Sequence, residues 1–512
     1  MTPRWLTLVF TATLVVFAGV VIYVYGLRFS EWAESDAAVQ VVLATKSAPV
    51  APDWYYANGD IWVVAPHLIG VLAVALLGLG PASLWVTVVV GFSLELVIFV
   101  ACYRRLGAEG WVAIVAAAVT LIAWSNGHVA YEYIQLAYGW GACIFIVAFT
   151  WFAVFADGGS SWLVVWAAAV VAMFAMQNPM RNVVFIVVPT LVGCAWPWRE
   201  LAARRRVIVA ATVVGACVVG YGIRALLIAP AVQFSVPVGH VAFQLGDLAD
   251  NLSRFARGLV FLTGGAHNAV RAIPGIAVLV GAIALVARDI FESRAFSTRR
   301  FVAVIVLAQL AAVAGPLVIG NLLDGVEAIR YLMSSLVLVF GLAVVNAVRM
   351  LHDTSRWRRV AMAWLIALPI AAAVAALDAK PPHPRKYIWP DTTELSAIST
   401  ELVHRGLSRG FSINLAASLL TMDSHGAAKT CPVTFRDRIR PQRWLADTAC
   451  FDAATLPDRF FVVIYQADGQ DHVAAAATLP SPAERFTVGP TYEVYVYRTA
   501  DTSTGWLGDS SP

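Results

Sequence analysis

Long apolar runs separated by short polar stretches dominate the first three quarters of the chain. Runs centred on residues 5–26, 84–103, 111–126, 138–156, 162–177, 183–197, 207–227, 273–287, 301–320, 331–348 and 360–377 are nearly free of charge. Each fits a membrane-crossing helix of roughly 17–25 residues, the shortest only marginally. The run 61–80 differs. Counted as a full crossing, it would place Arg104 and Arg105 outside and invert every later basic loop, including Arg204 to Arg206 and Arg356, Arg358 and Arg359. That arrangement opposes the cytoplasmic bias of lysine and arginine. Lying along the outer face instead, it leaves about eleven crossings and a cytoplasmic N-terminus. The external loops are then 27–60 with its surface-lying continuation, 127–137, 178–182, 228–272 and 321–330.

The pattern changes at DAKPPHPRKYIWP (378–390), where four prolines end the last apolar run. Beyond it, RFFVVIYQ (459–466) and YEVYVYRT (492–499) read as strands, and TELSAISTELVHRGL (393–407) has helical spacing with a cap at Thr393. The expected architecture is an all-α polytopic membrane protein with a surface-lying helix and a small α/β extracytoplasmic domain. The expected division is 1–377, carrying the first external loop 27–60 and juxtamembrane helix 61–80, and 378–512. No internal repeat is visible.

Composition agrees with a multi-pass protein of the plasma (inner) membrane. Of 512 residues 60% are hydrophobic and 13% charged, too apolar for a soluble domain. The net charge of +4 comes from short basic clusters between apolar runs, so it reports orientation in the bilayer and excludes nucleic acid as the partner. The first run is longer than a cleaved signal core and reads as an uncleaved anchor. Cys102, Cys143, Cys194 and Cys217 lie in apolar segments and read as buried hydrophobes. Cys431 and Cys450 fall in the external domain, where a disulfide is an open alternative.

Candidate chemistry gathers on the external side. SEWAESDAAVQ (30–40) sets Glu31, Glu34 and Asp36 close behind the first helix, at the depth of a lipid headgroup or lipid-linked phosphate. A carboxylate there can take the proton of an attacking hydroxyl, a contribution of roughly 10²–10⁴ in rate; the plainer reading is a solvated loop that is acidic because basic residues stay inside. PDWYYANGDIWVVAPHLIG (52–70) adds Asp60 and His67 among interfacial aromatics. QNPMRN (177–182) carries Arg181, and DGVEAIRYL (324–332) carries Arg330 and Tyr331 at the head of an apolar helix. An arginine so placed can hold a phosphate by two parallel hydrogen bonds, or snorkel, or pair with Asp324 or Glu327.

The acidic element ESDAA, the APHLIG element and AIRYL, set between an anchor helix and a terminal external domain, resemble the GT-C integral-membrane glycosyltransferases, which include protein O-mannosyltransferases and lipid A aminoarabinose transferases. The resemblance implies a polyprenyl-phosphate-linked sugar as donor and inverting transfer to an acceptor hydroxyl of a lipid, glycan or protein. It carries the acidic base onto Asp36 with Glu34 beside it, where this chain has Glu-Ser-Asp in place of adjacent acids. It carries the donor-phosphate element onto Arg330 and Tyr331, supported by Arg181 or Arg271. Pro66-His67-Leu68 matches the start of the family's surface helix in altered order. No obligatory metal or other cofactor is expected, although some relatives use a divalent ion and one or two carboxylates are a weak metal signal. A transporter or flippase, or a membrane scaffold with an external binding domain, are the competing readings. Glu95 is the main ionisable residue deep within a run, whereas a pathway would require several.

Overall fold

The computed structural model describes residues 4–21, 35–45, 64–122, 138–228, 245–265, 268–320, 329, 331–351, 356–378, 392–435, 439–442, 448–465 and 480–502. In chain order the helices are α1 (Arg4–Val21), α2 (Ser35–Leu43), α3 (Val64–Leu77), α4 (Pro81–Arg105), α5 (Gly110–Ile122), α6 (Tyr138–Ala156), α7 (Ser161–Gln177), α8 (Pro179–Asn182), α9 (Val188–Ala195), α10 (Ala203–Ile223), α11 (Leu248–Leu262), α12 (Ala272–Glu292), α13 (Thr298–Ile319), α14 (Met333–Met350), α15 (Arg356–Asp378), α16 (Thr392–His404) and α17 (Asn414–Asp423). Every one of the expected apolar runs carries a helix. Among the described residues, six helical stretches are long and apolar enough to cross a membrane: Pro81–Arg105, Ala203–Leu227, Ala269–Glu292, Thr298–Ile319, Met333–Met350 and Arg356–Asp378. The others are shorter apolar helices, and the count of eleven crossings stays an expectation. The chain forms two compact units, and the division at residue 377 stays an expectation. One comprises 1–28, 92–227 and 239–380; the other comprises 29–91, 228–238 and 381–512.

The first unit is helical. Its α14 is buried on all sides from Met333 to Val348, as expected of a helix with no polar face. It can approach α4 and α5 closely because Gly341 has no side chain: a Cβ there would lie 1.8 Å from the Tyr103 hydroxyl, which is hydrogen-bonded to Thr120 at 2.7 Å. Helices α10 and α12, by contrast, expose Val207, Val214, Val218, Ile273 and Val280, the composition of a lipid-facing surface. Arginines finish helix ends, with Arg205 Nη1 donating to the carbonyls of Phe155 and Ala156 at 3.1 and 3.3 Å. Arg299 grips the buried Asp289 carboxylate with two bonds of 2.9 and 2.7 Å. Between α8 and α9 the backbone widens into a π-helical turn, Val183–Val187, whose Phe185 carbonyl accepts from Gln309 Nε2 at 2.8 Å.

The second unit is built on a six-stranded sheet ordered β3-β2-β1-β4-β6-β5. Its strands are β1 (Arg409–Ile413), β2 (Lys429–Phe435), β3 (Ile439–Pro441), β4 (Arg459–Tyr465), β5 (Glu484–Val488) and β6 (Tyr492–Arg498). Strand β1 runs parallel to both β2 and β4, and α17 makes the β1-to-β2 crossover. The expected strands are β4 and β6, and the expected helix is α16. Cys431 and Cys450 form a disulfide. One sheet face is covered by α16 and α17 together with Ala38 and Val41 of α2 and Leu84 of α4.

Candidate functional site

In the second unit, α2 carries Asp36 at its second position. The helix is nine residues long, too short to hold together in water unaided. Packing supplies the order: Ala38, Val39 and Val41 are buried, and α2 lies against both α17 and α3. Helix α3 presents Leu68, Leu72 and Leu76 outward and turns His67 inward, where it is 1% exposed. Helix α3 leads through Gly78 to Gly80 into α4, where Ser83 Oγ donates to the Gly80 carbonyl at 2.7 Å.

In the first unit, Arg181 follows the sharp junction between α7 and α8. Asn178 caps α8 by accepting from the Arg181 backbone N–H at 3.0 Å, and Pro179 sits at its first position. Asn182 Nδ2 donates to the Val171 carbonyl at 2.6 Å, pinning the junction to α7. The Arg181 guanidinium carbon lies 5.7 Å from the centre of the Tyr331 ring, a cation–π contact. Tyr331 is half-buried just ahead of α14, between the fully buried Ile329 and Leu332. The two expected phosphate-site residues, far apart in sequence, are therefore neighbours.

Arg271 is placed differently. Its Nη1 donates at 2.8 Å to the Asp378 carboxylate, which is 0% exposed, while the arginine side chain is 53% exposed. The α12 start is thereby tied to the α15 end. Glu34, Asp60 and Arg330 lie outside the described residues, as do His128 and Glu132. Among the described residues no group of three or more His, Cys, Asp or Glu side chains gathers as a metal site. Asn178, which caps α8, and Asn182, which ties it to Val171, are not among the expected site residues, although an Asn-Pro pair ahead of an arginine is a readable helix start.

No known family profile and no curated protein sequence matches this chain. Solved structures do. ArnT from Cupriavidus metallidurans bound to undecaprenyl phosphate is 12% identical, with 97% of this chain and 98% of that one covered at a TM-score of 0.51. The apo state of the same protein gives 11% identity, coverage of 98% and 99%, and a TM-score of 0.53. ArnT is a lipid A aminoarabinose transferase. With its apolar helices and small terminal sheet, the present chain is an integral membrane protein with the GT-C fold.

Proposed function

We propose that the protein is a membrane glycosyltransferase that moves a sugar from a polyprenyl-phosphate carrier to an acceptor hydroxyl at the external face of the inner membrane. The observation that carries this reading is the likeness over nearly the whole of both chains to ArnT bound to undecaprenyl phosphate. The neighbouring Arg181 and Tyr331 support it from within the chain.

In this mechanism the acceptor oxygen attacks the anomeric carbon on the side opposite the phosphate. The bond from that carbon to the phosphate oxygen breaks, and its electron pair departs with the polyprenyl phosphate. The hydroxyl proton passes to Asp36, with Glu34 as the neighbouring acid. Arg181, steadied by the Tyr331 ring, and Arg330 offset the charge growing on the phosphate. Arg271 adds a donor from its anchorage on Asp378, and Asp60 and His67 are assigned to substrate binding. Polyprenyl phosphate is already a competent leaving group, so no metal is assigned a step. The buried carboxylates Asp289 and Asp378 are each matched by arginine, which leaves Glu95 as the one buried span carboxylate without an ion pair among the described residues. That is poor provision for a transport pathway.

The test is transfer in membranes from radiolabelled polyprenyl-phosphate sugars. Asp36→Asn is expected to lose roughly 10²–10⁴ in kcat, and Arg181→Ala roughly 10²–10³. Full transfer by correctly inserted Asp36→Asn removes the base assignment. Orientation has its own check: a cysteine from Arg105→Cys should resist impermeant maleimide added from outside.

A further inference from the structure

We infer that α17 of the sheet domain is a positioning clamp for the acidic loop. It seats α2, and with it Asp36, and it holds the α3–α4 turn through His425. The role of Asp36 rests on the glycosyltransferase reading above; the clamp itself rests on packing.

Helix α17 has only ten residues, yet Ala416, Ala417, Ser418, Leu419, Leu420, Thr421 and Met422 are all buried. A helix buried all round needs partners on every side. The sheet covers one side, and α16 and α2 cover others, with Ala38 and Val41 in one continuous core with Ala416, Leu419 and Leu420. The dependence runs the other way too, because a nine-residue helix such as α2 has little stability apart from its docking. Asp36 therefore stands where the α2–α17 contact puts it.

The second observation is independent. Immediately beyond α17, His425 adopts φ of 53°, the positive-φ position among the described residues that is not occupied by glycine. Such a residue carries strain that its surroundings must offset. The conformation directs the imidazole onto the α3–α4 turn, where Nδ1 lies 2.6 Å from the Leu79 carbonyl. Gly80 leaves room for the ring, since a Cβ there would come within 2.8 Å of it. Helix α3, which packs against α2 and carries His67, is thus held from the same end of α17. The two candidate site residues of this unit that are among the described residues, Asp36 and His67, ride on elements fixed by α17.

The full-length membrane protein tests this with two variants and one control. His425→Gly removes the imidazole and relaxes the backbone, so the sheet domain should melt no lower than wild type. Val41→Ala removes packing while raising the intrinsic helix propensity of α2. Val462→Ala empties a comparable volume on the opposite sheet face. Hydrogen exchange over residues 38–43 should quicken by about tenfold in the two clamp variants, the size of one lost contact, and stay unchanged in the control. In transfer from a polyprenyl-phosphate sugar, the clamp variants should lose kcat by a similar factor. Donor KM should hold within about twofold, because the proposed phosphate groups Arg181 and Tyr331 sit on other elements. Unchanged or slower exchange in both clamp variants overturns the clamp. Quicker exchange with unchanged kcat overturns the positioning of Asp36. Absence of transfer by wild type from every polyprenyl-phosphate sugar overturns the glycosyltransferase reading, and exchange alone then decides the clamp.

Discussion

The two faces of the C-terminal sheet are closed by different means. One face buries Phe461, Val463, Val494 and Val496 beneath helices, including α2 from the far end of the chain. The other buries Phe411, Val433, Phe460, Val462 and Tyr497, with no α-helix in its core cluster among the described residues; Phe451 and the disulfide between Cys431 and Cys450 complete the layer. That face is sealed covalently, within the domain. The helical face borrows part of its cover from the loop that carries the proposed base. Stability of the disulfide-sealed face is therefore a private matter of the domain, whereas stability of the helical face bears on the proposed reaction.

Removing the disulfide should give the largest effect. The bridge spans a sequence separation of 19, and loss of a loop that size costs about 3 kcal/mol. The paired serine variant Cys431→Ser/Cys450→Ser should lower the domain's melting temperature and render it insensitive to reductant. Below that temperature, exchange in α2 should match wild type. An early loss of α2 protection would mean that the two faces are not independent.

Next in size is the matched pair already introduced, Val41→Ala and Val462→Ala. Each empties a fully buried site, and each should cost about 2 kcal/mol from two lost methyl groups and the space they leave. Equal destabilisation with unequal loss of turnover is the expected outcome, read by chemical denaturation beside kcat. Equal loss of turnover would erase the distinction between the faces.

The sequence makes some of this readable and hides the rest for identifiable reasons. Apolar runs and the strands β4 and β6 announce themselves because their patterns are local. Strand β2 does not, since Pro432 interrupts it, and proline inside a strand argues against one; there the Pro432 carbonyl accepts from Gln442 N–H at 3.0 Å. Helix α2 is hidden inside a stretch that reads as an acidic loop, because its helical state depends on α17. The contact of Arg181 with Tyr331 and the pairing of Arg271 with Asp378 join residues remote in sequence. Chemistry at such positions follows from residue type, but partnership follows only from the fold. Cys431 and Cys450 show the same limit: the compartment permits a bridge, and the closeness of β2 to residues 448–451 makes it.

The smallest expected effect lies at the edge of the helical face, in the turn that presents His425. Burial pushes the Asp423 carboxyl up to about 6, against an opposing pull from His425, and its Oδ2 is buried without a partner among the described residues. The folded value exceeds the ordinary 3.8, so the folded domain holds this proton more tightly than the unfolded chain does. Its contribution to stability is complete below about pH 4 and is lost as pH rises through about 6. A shift of about two units corresponds to at most about 3 kcal/mol, which water reaching this partly open turn reduces to about 1 kcal/mol. Asp423→Asn should thus raise the domain's stability at pH 7 and flatten its melting temperature between pH 4 and 7, while wild type declines over that interval. Since the substitution leaves His425 and the α2 contact in place, turnover at pH 7 should not fall. A fall would mean that the ionised carboxylate, through its attraction for the imidazole, helps aim His425 at Leu79, and the clamp would then extend one residue pair further than its packing alone requires.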